Sequence, residues 1–318
     1  IAHRAGVHWS TVSRVLNPQT RTMVSSEVAE RILKIAESVG YQRNRLAVGL
    51  KTRRSFTVGM IVPDLTNPVF PAIVRAVEHV LGAEGYVTVL ADSDRSRETE
   101  TAIIGSMRAR QVDGLILATA HLQDNIVAQC RKDRTPFVLV NRTTLETDVS
   151  SVASNDDRGI HRVIEHLVGL NHRRIAFVGG PLDTSTGFSR RNAFVAALQE
   201  HRLKVDHKAI VDSQAFTIES GLAAGREVLR AHRRITAIVA ANDMLALGCY
   251  DALNEAGLQC PQNISVTGYN DMPFADRFNP PLTTVRIPLE DIGQQAAQLL
   301  LRQMRNPETP ATAVLLEP

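Results

Sequence analysis

Cysteine, aromatic residues and long apolar runs are all scarce in this chain of 318 residues. Its three cysteines stand far apart and lack the Cys-x-x-Cys spacing of metal and redox sites. An odd number of isolated cysteines argues against a disulfide scaffold and for a reducing compartment, so we expect a cytoplasmic location. No run of about 18 apolar residues occurs, which argues against a membrane span.

Enzyme signatures are missing as well. The chain has no GxSxG, HExxH or P-loop motif, and no GxGxxG between a strand and a helix. His161 and His166 are five residues apart, which is off the i, i+4 spacing of metal-binding pairs on a helix. These absences favour a binding protein over an enzyme, and we expect neither a cofactor nor a metal.

Charge is distributed unevenly along the chain. Residues 1–55 hold ten basic and three acidic side chains, whereas residues 56–318 hold 26 basic and 30 acidic ones. A basic head on a mildly acidic body indicates a nucleic-acid-binding module joined to a different kind of domain. The chain opens at Ile1 with a helix already under way, so we expect further residues before it and a truncated first domain.

The basic head contains the pattern of a helix-turn-helix at residues 5–17 (AGVHWSTVSRVLN). Val12, Val15 and Leu16 lie at i, i+3 and i+4, which places them on one apolar face of a helix. Gly6 supplies the turn before it. The other faces carry side chains suited to base edges and phosphates, namely Trp9, Ser10, Ser13 and Arg14.

A third helix is predicted after a polar loop, with Ser25 as its N-cap and Gly40 at the C′ position that favours a left-handed residue. Residues 42–55 carry five basic side chains and little bulky apolar material. This segment is a linker, or a short helix that needs a partner to be stable.

From residue 56 onward, short apolar runs alternate with amphipathic segments, the pattern of βαβ units and parallel sheets. The predicted strands are 57–62, 87–91, 115–118, 137–140, 175–178, 237–240 and 265–269. The predicted helices are 73–83, 98–110, 158–170, 192–201, 220–230 and 242–257. These are more units than one sheet needs, so we expect an α/β body of two Rossmann-like subdomains, each a parallel sheet with helices on both faces.

Together these segments resemble the LacI/GalR (lactose-repressor) family of transcription regulators. In the head the resemblance rests on residues 5–17 and on Gly40-Tyr41. In the body it rests on PDLTNP (63–68), VDGLIL (112–117), ANDM (241–244), ISVTGY (264–269) and PLTT (281–284). The resemblance implies a three-helix helix-turn-helix head, a hinge and a core similar to periplasmic binding proteins.

The same resemblance implies the domain boundaries. The DNA-binding head would span residues 1–43, the hinge helix or linker 44–55, and the effector-binding core 56–318. Within the core, the first subdomain would comprise about 56–155 and 287–311, and the second about 156–286 and 312–318.

By resemblance, the second helix of the head lies in the major groove and its early residues read base edges. Trp9 and Ser10 would be the principal readers and Arg14 a further one. The remaining DNA-binding candidates are Thr11, Ser13, Asn17, Tyr41, Asn44, Ala47 and Leu50. Within the hinge, Leu50 would wedge into a minor-groove step, and the small Ala47 would let two hinge helices approach. Trp9 could instead be a core aromatic residue.

His8 departs from the family pattern, because many relatives have Ser at this expected N-cap and histidine caps poorly. The sequence leaves open whether His8 touches a phosphate or the preceding loop satisfies the free N–H groups.

In the body, the resemblance places an effector at the carboxyl ends of the strands, between the subdomains. The candidate effector-binding residues are Asn67, Phe70, Asn141, Thr186, Arg190, Phe216, Asn242 and Asn270. Arg190 can clasp hydroxyl pairs or a carboxylate with its planar guanidinium. Asn141 and Asn270 stand where relatives frequently have Asp, so a sugar acid or another small carboxylate is favoured over a neutral sugar.

The sequence therefore predicts a transcriptional regulator, more specifically a repressor, that is controlled by an effector. We expect it to act as a homodimer on palindromic double-stranded operator DNA. Helices 73–83 and 242–257 are candidate dimer contacts. The alternative is a periplasmic-type solute-binding protein without a DNA role, which the body would suit but the basic head contradicts.

Overall fold

The computed structural model describes residues 1–17, 20–41, 54–232 and 234–318, which fall into two units, Ile1–Ser55 and Phe56–Pro318. The described part of the first unit holds α1 (Ala2–Ala5), α2 (Trp9–Leu16) and α3 (Ser26–Ser38). They pack around a small apolar core of Ala5, Val12, Val15, Ala29 and Ile32. The apolar face predicted for the second helix is the face that this core buries.

The end of α3 shows how local sequence sets a helix boundary. Gly40 adopts a left-handed conformation with φ 61° and donates its N–H to the Glu37 carbonyl at 3.0 Å. Tyr41 donates its N–H to the Ala36 carbonyl at 2.9 Å, which completes a Schellman motif. The predicted C′ glycine is confirmed, and it fixes the direction in which the chain leaves the helix.

The second unit contains two sheets in which every recorded pairing is parallel. The first sheet has the order β11-β5-β4-β3-β1-β2 and the second the order β10-β9-β8-β6-β7. The strands are β1 (Thr57–Val62), β2 (Val87–Asp92), β3 (Gly114–Leu117), β4 (Phe137–Val140), β5 (Ser151–Ser154), β6 (Ile175–Gly179), β7 (Ile210–Asp212), β8 (Ala237–Ala240), β9 (Ser265–Asn270), β10 (Thr283–Arg286) and β11 (Ala313–Leu316).

Helices cover both faces of the sheets. They are α4 (Val69–Ala83), α5 (Arg97–Ala109), α6 (Asn125–Lys132), α7 (Asp156–Gly169), α8 (Ser185–Glu200), α9 (Ile218–Ala231), α10 (Asp243–Glu255) and α11 (Leu289–Arg305). Met60 and Ile116 belong to the core on one side of the first sheet, whereas Ile61 and Leu115 belong to the core on the other. Burial on both faces explains why these strands read as continuous apolar runs.

The order of the strands determines where a ligand-binding crevice can form at each sheet. In the first sheet β1 has β2 on one side and β3 on the other, and in the second β6 lies between β7 and β8. The chain therefore reverses direction across each sheet at these neighbouring pairs. Loops leaving the carboxyl ends of such strands diverge and leave a crevice, which is where ligands bind in open α/β sheets.

Several elements differ from the sequence-based expectation. Four strands of three or four residues (β5, β7, β10 and β11) and the eight-residue helix α6 were not predicted, because short segments carry little periodic signal. Helix α11 was not predicted either, although its 17 residues are long enough to show a helical period. Helix α8 begins at Ser185 rather than at residue 192. Thr186 and Arg190 are buried in the first turns of this helix, although the sequence of these turns resembles that of a polar loop.

The assignment of residues 312–318 to the second subdomain is wrong. Strand β11 pairs with β5 in the first sheet, through Ala313 beside Ser151 and Leu316 beside Ser154. Only the final residues reach the second subdomain, where Glu317 forms an ion pair of 2.7 Å with Arg158 of α7. Backbone pairing at a sheet edge, which leaves no distinctive side-chain pattern, decides where this strand lies.

Candidate functional site

The surface of α2 presents the side chains predicted to contact DNA. Trp9 is 69% exposed, so it is not a core aromatic residue. Ser13 and Arg14 are also exposed, while Ser10 and Thr11 are partly buried. Among the described residues, none forms a hydrogen bond or ion pair with the Arg14 guanidinium. The exposed surface of α2 thus carries an aromatic ring, the Ser13 hydroxyl and a cation that no described residue pairs with.

His8 is the N-cap of α2, an arrangement that neither of the two sequence-based alternatives described. The N–H of Ser10 donates to His8 Nδ1 at 3.3 Å, and the Ser10 hydroxyl oxygen lies 2.8 Å from the same nitrogen. An imidazole nitrogen therefore does what a serine oxygen does at a typical N-cap. The His8 ring also lies 5.4 Å from the Trp9 ring, centroid to centroid.

The C-terminal end of α2 is closed by the segment that follows it. Thr20 donates its hydroxyl to the Arg14 carbonyl at 2.9 Å, and Arg21 donates Nε–H to the Val15 carbonyl at 3.0 Å. Asn17 is the partly buried C-cap residue. These bonds satisfy carbonyls that a helix end would otherwise leave free.

Tyr41, at the end of α3, is exposed, as a DNA-contacting residue needs to be. The predicted hinge contacts Asn44, Ala47 and Leu50 lie outside the described residues.

All eight predicted effector-binding residues line one cleft in the second unit. They are Asn67, Phe70, Asn141, Thr186, Arg190, Phe216, Asn242 and Asn270. This inner section is open to solvent, and its empty space, counted with the open mouth, is about 310 Å³. It continues into an outer section whose empty space, counted with open solvent, is about 750 Å³, and four residues line both sections, namely Asn67, Phe70, Arg142 and Phe216. Residues that are far apart in sequence meet here because they follow the carboxyl ends of strands from both sheets.

Local backbone geometry places the polar groups at the inner section. Asn141 follows β4 in a left-handed conformation with φ 64°, which asparagine tolerates better than most residues. Asn67 accepts the Val69 N–H at 3.2 Å at the start of α4. Asn242 is the buried N-cap of α10 and accepts the Leu245 N–H at 2.8 Å. Asn242 therefore caps the helix and lines the cleft, so its capping role does not exclude a ligand contact.

Arg190 is held tightly by the protein itself. It is 3% exposed; its Nε–H donates to Asp156 Oδ1 at 2.9 Å and its Nη1–H to the Ala241 carbonyl at 2.7 Å. Its guanidinium carbon lies 4.0 Å from the centre of the Tyr269 ring. Burial raises the pKa of Asp156, and the charge of Arg190 opposes that rise. Because Asp156 balances its charge, Arg190 suits a ligand hydroxyl better than a ligand carboxylate.

Phe216 forms an aromatic wall of the cleft, and Gly180 makes room for it. A Cβ atom on Gly180 would lie 2.2 Å from two carbon atoms of the Phe216 ring. Gly180, which directly follows β6, leaves the space that this close approach of the ring needs. The ring can stack against an apolar face of a ligand.

The outer section contains charged residues that sequence reasoning missed. Arg97 contacts Glu100 at 2.9 Å and Asp124 at 3.2 Å, and Glu100 also accepts a hydrogen bond from the Thr119 hydroxyl. Burial opposes ionisation of Asp124, but hydrogen bonds from Arg97 and the His121 N–H outweigh it and lower the pKa of Asp124. One feature of the sequence could have identified this cluster, because its residues follow strands β2 and β3.

Three contacts join the two subdomains at the outer section. His121 Nδ1 lies 2.9 Å from Asp183 Oδ2, and the Leu122 N–H donates to the Asp183 carbonyl at 2.8 Å. The Thr143 N–H donates to the Ser185 hydroxyl oxygen at 2.9 Å. Each contact pairs a loop of the first sheet with a loop of the second, so each depends on how far the cleft is closed.

Comparison with known proteins agrees with this architecture. Residues 1–44 match the model of bacterial regulatory proteins of the lacI family, and residues 164–318 match a periplasmic binding protein-like domain. The HTH-type transcriptional regulator reg1 of Streptomyces lividans is 32% identical over 327 residues, covering 100% of this chain and 93% of that protein. The chain belongs to the LacI family. It is a DNA-binding transcriptional regulator, and the alternative of a solute-binding protein without a DNA role is excluded.

Solved structures of LacI-family proteins share the fold. The lac repressor dimer bound to operator and the anti-inducer ONPF has a TM-score of 0.87 and 27% identity, covering 99% of this chain and 94% of that one. A complex of the transcriptional regulator CelR with cellobiose has a TM-score of 0.78 and 30% identity, covering 99% and 95%. The relatives carry the names of regulators rather than of enzymes.

In the described part of the chain, no helix is long and apolar enough to cross a membrane.

Proposed function

We propose that this LacI-family regulator is a repressor whose affinity for operator DNA is set by a small effector, a sugar or a small carboxylate, bound in the cleft. The observation that carries the proposal is the convergence of eight polar and aromatic residues from both sheets on one crevice. The solved relatives named above include a complex with cellobiose and one with operator and ONPF. Because it acts on DNA, the protein is proposed to work in the cytoplasm.

At the DNA, Trp9, Ser10 and Arg14 are proposed to read base edges in the major groove. The hydroxyls of Thr11 and Ser13 and the amide of Asn17 are proposed to contact phosphates, which position the helix without specifying sequence. Tyr41, Asn44, Ala47 and Leu50 remain proposed contacts of the head and hinge.

A homodimer is proposed to bind a palindromic operator, because a two-fold symmetric protein presents two recognition helices to two half-sites. Strand β2 supports this assembly. Among the described strands it pairs only with β1, and it exposes Val87, Val89 and Leu90 along the sheet edge. An exposed apolar edge strand is a pairing surface that soluble proteins normally cover.

Control of DNA binding follows from the position of the cleft. An effector that binds the closed cleft more tightly than the open one shifts the population toward closure, by no more than its difference in affinity for the two states. The contacts between His121 and Asp183 and between Thr143 and Ser185 join loops of the two sheets, so opening of the cleft would break them. Closure then changes the spacing of the two heads in a dimer.

The test uses the complete protein and has two readouts. Binding to a palindromic operator is measured by fluorescence anisotropy with and without each member of a sugar and sugar-acid panel. Thermal shift is measured in parallel. We expect one compound to change operator affinity and to raise the melting temperature, and both effects to be lost on Asn242→Ala. A regulator whose operator affinity no panel compound changes would refute effector control.

A further inference from the structure

Arg142 occupies a position in the cleft that no sequence argument singled out. It follows Asn141 directly after β4, and it lines both the inner and the outer section. Among the described residues, none forms a hydrogen bond or an ion pair with its guanidinium. Arg190 and Arg97 also line the cleft, but both form ion pairs. Arg190 is paired with Asp156, and Arg97 is paired with Glu100 and Asp124.

The two carboxylates that act electrostatically on Arg142 already have other hydrogen-bond or ion-pair partners. Asp183 and Glu100 both act on it electrostatically. Asp183 Oδ2 is 2.9 Å from His121 Nδ1, and Glu100 accepts from Arg97 and from Thr119. Arg142 is therefore influenced by negative charge at a distance, but no acceptor among the described residues forms a hydrogen bond with it.

Arg142 is partly exposed, and a guanidinium without a paired anion is less favourable in such a cleft than in water. Burial lowers the pKa of Arg142 to about 10, which reflects the cost of removing the charge from water. Five N–H donors in a planar fork are left for a ligand, and that fork matches the oxygens of a carboxylate or phosphate. Proteins keep such a locally unfavourable group where it serves binding.

We propose that Arg142 is the residue that selects the effector, by binding an anionic group of that molecule, a carboxylate or a phosphate, at the junction of the two cleft sections. This inference rests on the proposed function and assigns the effector a chemical class. The hydroxyl-bearing part of the molecule lies in the inner section against Arg190 and the asparagines. The anionic end points toward the outer section.

The first experiment needs no ligand. Melting temperatures of the free protein are compared for Arg142→Gln and for the matched control Arg190→Gln. We expect Arg142→Gln to melt at or above the wild-type temperature, because no partner loses a bond. Arg190→Gln is expected to melt lower, because Asp156 becomes a buried charge without its cation. A loss in Arg142→Gln as large as that in Arg190→Gln would assign Arg142 a structural role and overturn the proposal.

The second experiment identifies the anion. Glucose, galactose and ribose are compared with their aldonates and with their phosphate esters by thermal shift and calorimetry, with inorganic phosphate alone as a further probe. We expect stabilisation by the aldonate or the phosphate ester of one sugar, and which of the two binds separates carboxylate from phosphate. Arg142→Gln should weaken that binding about 10- to 150-fold, the range for losing hydrogen bonds to a charged group.

The outcomes separate this inference from the proposed function. A neutral sugar that binds wild type and Arg142→Gln equally, and that changes operator affinity, would overturn the role of Arg142 and leave effector control intact. The inference also fails if no anionic compound binds wild type more tightly than its neutral counterpart. Loss of the anionic compound's binding in Arg142→Gln, with the melting temperature of the free variant no lower than that of wild type, would support it.

Discussion

The buried carboxyl of Asp243 makes the stability of the core depend on pH in an unusual direction. Asp243 is the first residue of α10 and is 1% exposed. It accepts the Thr284 hydroxyl at 2.6 Å and the Met272 N–H at 2.7 Å, and so ties α10 to β10 and to the loop after β9. Its neighbour Asn242 lines the cleft, so this network also supports the candidate effector site.

Burial raises the pKa of Asp243 to about 6, although the bonds from Thr284 and Met272 oppose the rise. The ordinary value of 3.8 applies to the unfolded chain. Because the folded state holds its proton more tightly, protonation stabilises the fold. The penalty for the charged form is fully present above pH 6 and is relieved as the pH falls toward 4. Between pH 7 and pH 5, linkage adds about 1 kcal/mol to the free energy of unfolding.

The perturbation that isolates this contribution is Asp243→Asn. The amide can donate to the Thr284 oxygen and accept the Met272 N–H, so both contacts survive without a titratable group. Urea unfolding of wild type and variant is followed at pH 7, 6 and 5. We expect wild type to gain about 1 kcal/mol relative to the variant between the two ends of this range.

Asp251→Asn provides the matched control, since Asp251 lies on the same helix but is exposed. Its pH profile should run parallel to that of wild type. If the pH profile of Asp243→Asn were also parallel to that of wild type, burial of the Asp243 carboxyl would not destabilise its charged form. The reasoning from burial to pH dependence would then be refuted.

Three further substitutions test the head and the cleft. His8→Ala should speed hydrogen exchange in α2, because a lost N-cap costs about 1 kcal/mol, whereas His8→Ser should not. Trp9→Ala should weaken operator binding at least tenfold in anisotropy titrations and leave the melting temperature unchanged, because the ring is exposed; equal loss on random DNA would contradict base reading. Gly180→Ala should displace Phe216 and weaken effector binding about tenfold by calorimetry. Gly169→Ala, which meets no atom within 4 Å, is its control.

The elements that the sequence predicted correctly are those whose side-chain pattern follows directly from burial. Strand β1 reads as a continuous apolar run because both faces of its sheet are covered, and α2 shows the i, i+3, i+4 spacing of one buried face. Strand β11 was misplaced because its position depends on backbone pairing with β5, a contact made 162 residues away in the chain that its own residues do not encode.

Charge pairing explains why the site was predicted only in part. Arg190 was identified from the resemblance and does line the cleft, but the sequence could not show that Asp156, 34 residues earlier, neutralises it at 2.9 Å. Sequence reasoning therefore attributed anion preference to a cation that is already paired. The structure leaves Arg142 as the cation in the described cleft without a contact partner, so the same preference transfers to it. An acidic effector is therefore expected because of Arg142 and not because of Arg190, whose charge Asp156 balances.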